Sequence, residues 1–349
     1  MRWLLAGLIA VLAAAPVQAK PFTPPDFNSA DAVLRWIAGY RSAPDPRIVT
    51  VAMKALSASG SFRDPERAGV YIGFLAGVIG SSPERAALVT GQTLAAVRDE
   101  DRWAIIRAIA YSGLPDWKQR LRNLAPRIPE RTAMIERFIN GKSATLEQLV
   151  ISPKPSGLDQ FRKHMRLDAV FGKPKRNVML EPNPEMLDVL WGYYFATGSY
   201  GPVMRMIETL AWADDHDDTE RLTVGSMAKY SLANNAIRDQ DLLIMLKSSS
   251  KARNQPEKTV ATLKEIVEAA ETAETAHIRA KAIAAVEELR TKGPAYKRAV
   301  NWWMFVGQSA IAGGCVAAAI TGHVELGLPC VVGGATVSAA MNFWNNQPQ

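Results

Sequence analysis

The chain has 349 residues, of which 48% are hydrophobic and 21% charged, and its formal net charge is +7 at pH 7. This length suffices for one large or two ordinary domains, and the apolar fraction excludes a disordered or collagen-like chain. Two cysteines exclude a disulfide-dense scaffold, and four scattered histidines leave little for a zinc enzyme to use.

The N-terminus is typical of a secretory signal peptide. Arg2 provides a positive start, residues 4–15 form an apolar run too short to span a bilayer comfortably, and residues 17–19 resemble a cleavage motif. Cleavage after Ala19 would make Lys20 the new N-terminus. We therefore expect an exported protein, either periplasmic or secreted. An uncleaved anchor or a buried N-terminal helix is the alternative.

Four proline motifs predict helix starts, because the residue before each proline can cap a helix and proline fits its first turn. They are Asp45-Pro46, Asp64-Pro65-Glu66, Ser82-Pro83-Glu84 and Asn183-Pro184-Glu185. Apolar residues between these starts recur at helical spacing, and no alternating strand pattern is found. The sequence predicts an all-α fold of stacked antiparallel helical hairpins, similar to an α-solenoid, with a C-terminal hydrophobic helical hairpin.

One stretch, residues 187–212, resembles a degenerate tetratricopeptide repeat. Four residues match the first-helix leucine and tyrosine, the turn glycine and the following aromatic of that family: Leu187, Tyr194, Gly198 and Tyr200. The stretch departs from the pattern where Val203 replaces an alanine and Trp191 a glycine. The resemblance implies a concave surface that binds peptides or proteins.

Composition divides the chain into five predicted parts. These are a signal peptide (1–19), an N-terminal helical-hairpin domain (20–150), a basic proline-containing linker or insertion (151–184), a second helical domain with a long alanine-rich helix (185–298), and an uncharged Gly/Ala-rich tail (299–349).

The centre of the chain is strongly basic, since residues 117–176 contain fourteen Lys and Arg against five Asp and Glu. Such a surface attracts anionic lipid, phosphate-bearing glycan or an acidic protein, unless it is an ordinary solvated surface. Nucleic acid is not expected as a partner, because export removes the chain from it. The predicted anionic-surface contacts are Arg162, Lys163, Arg166, Lys173, Lys175 and Arg176.

No pattern nominates a catalytic, cofactor-binding or metal-binding residue. The acidic run 214–220 lacks the glycine and the distal glutamate of a calcium loop, and we interpret Asp217 and Glu220 as a capping box that opens a helix. The four histidines never pair with each other or with cysteine at ligand spacing. We expect no cofactor, although catalytic residues could still converge from distant positions.

Gly69, Gly73 and Gly77 recur every four residues within an uncharged run. This spacing places them on one helix face, where a second helix can approach closely. Tight packing inside the protein is the favoured interpretation, and contact with a membrane is the alternative.

The tail is the second feature that bears on function, because residues 299–349 contain one formally charged residue, Glu325. It fits a membrane-inserted hairpin, a buried helical pair or a self-association surface. Cys315 and Cys330 both lie in it and are a candidate disulfide in an oxidising compartment.

Together these features predict a cell-envelope scaffold or adaptor that binds a protein or envelope partner through a helical-repeat surface without catalysis. Two alternatives stay open. One is a hydrolase of envelope polymers on a helical frame, and the other is a toxin-like or pore-like protein acting through its tail.

Overall fold

The computed structural model describes residues 25–149, 183–214, 219–252 and 255–272. Twelve α-helices and several short 3-10 turns account for most of these residues, and the same residues contain no β-strand. The all-α prediction is confirmed for this part of the chain. The helices are α1 (Ala30–Gly39), α2 (Pro46–Ser59), α3 (Gly69–Ser81), α4 (Pro83–Ala96), α5 (Trp103–Tyr111), α6 (Trp117–Leu124), α7 (Thr132–Ile139), α8 (Pro184–Thr197), α9 (Tyr200–Glu208), α10 (Thr219–Ala236), α11 (Gln240–Ser250) and α12 (Glu257–Glu271).

Three of the four proline motifs begin an α-helix as predicted, at the first residues of α2, α4 and α8. The Asn183 side chain accepts the backbone N–H of Met186 at 2.8 Å, which caps α8. The prediction from the fourth motif is wrong, because Pro65–Arg67 forms only a 3-10 turn and the α-helix α3 begins at Gly69. The charged residues before Ala68 stay near solvent, and the α-helix begins where the fully buried run begins.

Helices α3 and α8 form the centre of the molecule, one from each half of the chain. Most residues of both helices are buried, so neither has a solvent face along most of its length. A Cβ atom on Gly73 would overlap the backbone of Val189, and one on Gly192 would overlap the carbonyl of Val70. The predicted tight packing of the α3 glycines is therefore confirmed.

The other helices surround this pair. α1 and the 3-10 turn Tyr40–Ser42 contact α8, α5 packs on α3, and α2 packs against α4. In the second half, α9 packs on α8, α10 packs on the 3-10 turn Thr209–Asp214, and α11 packs on α12. One apolar core runs through both halves of the described chain. None of the helices in the described residues has the length and apolar character needed to cross a bilayer.

A polar cluster of Arg41, Tyr194 and Asp239 joins the 3-10 turn Tyr40–Ser42 to α8 and to the start of α11. The guanidinium carbon of Arg41 lies 4.9 Å from the centre of the Tyr194 ring, and Arg41 pairs with Asp239. Tyr194 donates its hydroxyl to Asp239 Oδ2 at 2.8 Å, and Asp239 Oδ1 accepts the N–H of Leu242 at the start of α11. Burial raises the pKa of Tyr194, so the phenol stays a donor. The cluster fixes α11 to the central pair.

Candidate binding groove

An open groove lies where the end of the N-terminal half meets α9 and the start of α12. Its volume is about 560 Å³, and it is open to solvent along much of its length. Three separate segments supply the lining: Glu147 and Leu149; Arg205, Glu208 and Ala211; and Gln255, Pro256 and Thr259.

The floor of the groove is fixed and its rim is exposed. Leu149 and Thr259 are buried, at 1% and 2% exposure, and hold their segments on the core. Arg205 and Glu208 lie one turn apart on α9, with Nη1 and Oε2 3.5 Å apart, and both side chains are about 40% exposed. A pair this exposed contributes little to stability, so both side chains can turn toward a ligand at small cost.

Local capping positions Glu147 on the opposite rim. The 3-10 turn Leu146–Gln148 is held by a reciprocal capping box in which Gln148 accepts the N–H of Thr145 at 2.8 Å. Next to it, Tyr193 donates its hydroxyl to the carbonyl of Ser112 at 3.2 Å. Burial raises the pKa of Tyr193, and the charge of Glu147 adds to this effect. These contacts hold the segment that carries Glu147 against the core.

The groove can form hydrogen bonds of both kinds. The Arg205 guanidinium offers donors, the Glu147 and Glu208 carboxylates offer acceptors, and the Gln255 amide offers both. A polypeptide segment with both positive and negative side chains offers the complementary donors and acceptors. The groove is thus suited to hold an extended polar chain.

A buried serine–aspartate pair elsewhere has a structural role. Ser57 donates its hydroxyl to Asp101 Oδ2 at 2.6 Å and accepts the N–H of Arg98 at 3.0 Å. Both side chains are at most 2% exposed. The pair anchors the turn before α5 to α2.

No group of three or more metal-ligand side chains comes together within the described ranges. The four histidines all fall outside those ranges, as does Asp217 of the predicted capping box, although α10 does begin at Thr219, close to the predicted position.

The site residues predicted from sequence lie outside the described residues. This holds for the cleavage position, the anionic-surface contacts and the candidate disulfide, namely Ala19, Lys20, Arg162, Lys163, Arg166, Lys173, Lys175, Arg176, Cys315 and Cys330. All of them stay predictions. The groove was missed because its lining comes from three short segments distant in sequence, none of which forms a motif.

Comparisons with known protein families, with curated proteins and with solved structures find no match for this chain.

Proposed function

We propose that this chain is an exported scaffold or adaptor of the cell envelope, which binds a protein or another envelope component without catalysing a reaction. The groove between residues 147–149, 205–211 and 255–259 carries the proposal. Its open shape and mixed charge suit a segment of a partner polypeptide better than a small molecule enclosed on all sides.

The finer architecture belongs to the same proposal. Paired helices stack as in an α-solenoid and display the groove, while residues 299–349 form an apolar helical hairpin that fixes the protein to a membrane or a partner. The helix–turn–helix of α8 and α9 supports the stacking, because Gly198 ends α8 with a positive φ of 64° and α9 packs back on α8.

The second half also exposes apolar side chains on α9, on α11 and in the turn between α10 and α11. Tyr200, Ile237 and Ile244 are 41%, 36% and 53% exposed, and the Tyr200 hydroxyl lies 2.7 Å from Ser249 Oγ on α11. Exposed aromatic and aliphatic side chains are typical of protein-binding surfaces. They support a protein partner rather than a soluble sugar.

Site-specific photo-crosslinking in the cells that make the protein tests this proposal. A benzophenone amino acid replaces Ala211, which is exposed in the groove, or Ala261, which is exposed on α12 but does not line the groove. We expect a covalent adduct with a partner at position 211 and none at position 261. Equal adducts at both positions would contradict a groove-specific partner.

Reversing the two charges on the groove rim tests whether they contribute to binding of the partner. Arg205→Glu combined with Glu208→Arg is expected to reduce the adduct about tenfold, because both rim charges then face the wrong groups. The matched control combines Arg238→Glu with Glu268→Arg, two exposed residues outside the groove, and is expected to leave the adduct unchanged. Export is tested separately, by recovering from the periplasm or medium a chain that begins at Lys20.

A further inference from the structure

Helices α6 and α7 form a basic face in an otherwise balanced surface. Residues 117–142 contain seven Lys and Arg against two Asp and Glu. The described second half, residues 183–214, 219–252 and 255–272, contains eight against eleven. The excess positive charge of the described chain is therefore concentrated in one helical hairpin.

Five cations of this hairpin are exposed, and the structure places none of them in an ion pair with a described carboxylate. By contrast, Arg120 of α6 forms an ion pair with Asp116 at 2.9 Å. The five, which we call the basic face, are Lys118, Arg122, Arg127, Arg137 and Lys142.

The fold aims these side chains outward. α6 buries Leu121 and Leu124, and α7, which packs against it, buries Ile135 and Phe138. The basic residues of both helices occupy the opposite faces, and those of α6 are four residues apart, so they project from one side. Since none of these cations pairs with a described carboxylate, an anionic partner would supply the opposite charge that they lack.

Apolar side chains border the basic face. Arg127 lies next to Gly91 of α4, where a Cβ atom would be 3.6 Å from its Nη1. Leu88, one turn earlier on α4, is 60% exposed. Trp117 is half-buried, and the Lys118 ammonium lies 5.5 Å from its ring centre. Tryptophan beside lysine is typical of groups that settle at the headgroup level of a membrane.

We propose that the basic face docks on a lipid leaflet that carries anionic headgroups. Its five cations are spread over α6, α7 and the turn that follows each helix, and none of them lines the groove, so they match an extended layer of negative charge better than one small anion. Each such cation near an anionic surface strengthens partitioning about fivefold. The groove is left free to hold a partner, and docking does not depend on the function proposed for it.

Vesicle flotation of the full-length chain tests the docking. The probes are vesicles of phosphatidylcholine mixed with phosphatidylglycerol, and vesicles of phosphatidylcholine alone. We expect binding to the anionic vesicles that neutralisation of all five cations to glutamine weakens at least about tenfold. A variant with Arg122, Arg127 and Arg137 changed to lysine keeps the charge and is expected to bind like the wild type.

A matched control neutralises five exposed cations elsewhere and is expected to retain binding: Lys54, Arg238, Lys251, Lys258 and Lys264. Equal helical circular dichroism of all variants shows that folding is unaffected. Equal vesicle binding by the basic-face variant and the wild type would overturn the proposal, because residues 154–176 and the tail are unchanged in both. Binding to soluble polyglutamate but not to anionic vesicles would overturn it in favour of an acidic protein. Neither result bears on the crosslink at Ala211.

Discussion

The central pair α3/α8 and the peripheral pair α6/α7 are both helical, yet opposite constraints shape them. The first is buried along most of its length and is held by glycines that allow backbone contact. The second buries one stripe and exposes cations on the other, most of which pair with no carboxylate among the described residues. In the first pair every added atom has a steric consequence, whereas in the second a side chain can change without disturbing the fold. The residues free to serve a partner are therefore at the periphery.

The strongest test of this comparison adds one methyl group to the central pair. Gly73→Ala or Gly192→Ala is expected to destabilise the protein by about 3 kcal/mol, because the new Cβ meets backbone of the other helix, which cannot move aside. Urea unfolding followed by circular dichroism measures the loss. Gly39→Ala is the control, since its Cβ meets nothing within 4 Å and alanine favours the helix by about 0.5 kcal/mol. A similar mild effect at Gly73 would refute the close approach.

A smaller effect is expected at the link between the centre and α11. Asp239→Ala removes the partner of Arg41, the acceptor of Tyr194 and the cap of α11, and should cost about 2 kcal/mol. Asp241→Ala is the comparison, because this side chain is 74% exposed and lies 3.6 Å from the same arginine. Its loss should cost less than about 0.5 kcal/mol. Equal losses for the two variants would mean that burial does not strengthen the link.

The smallest expected effect is a loss of folding stability at alkaline pH. Tyr40 packs edge-on against Phe74 of α3, and burial raises its pKa to about 12 from 10.0. The folded state therefore holds this proton more tightly than the unfolded state, and the stability it contributes is complete below pH 10 and lost between pH 10 and 12. The loss should reach about 1.4 kcal/mol at pH 11. Tyr40→Phe should reduce the slope of stability against pH in this range, and an unchanged slope would exclude the role of Tyr40.

Much of the described helical framework could be predicted from residues that act locally. The caps before Pro46 and Pro184 start helices where expected, since capping and the fixed φ of proline depend on neighbours alone. Gly198 ends α8 for the same reason. The motif at Asp64-Pro65 shows the limit, because burial of the chain from Ala68 onward decides where α3 begins.

For distant segments, the sequence predicts that a helix packs on α3 but does not predict which helix it is. The glycine spacing of α3 indicates that some helix packs there, but nothing in it names α8 or the matching Gly192. The groove was beyond prediction for a related reason, because Glu147, Arg205 and Gln255 meet only after the two halves have joined. Each is an ordinary polar residue in its own segment.

The partnership of α3 with α8 has a consequence for biosynthesis. The ribosome makes α3 long before α8, so this uncharged helix leaves the exit tunnel well before its main packing partner is made. Until residue 197 emerges, the side of α3 that packs against α8 is uncovered and can aggregate. If the chain is exported as the N-terminus predicts, the same delay keeps it unfolded for passage through a translocation channel, and completion of α8 then closes the core on the far side.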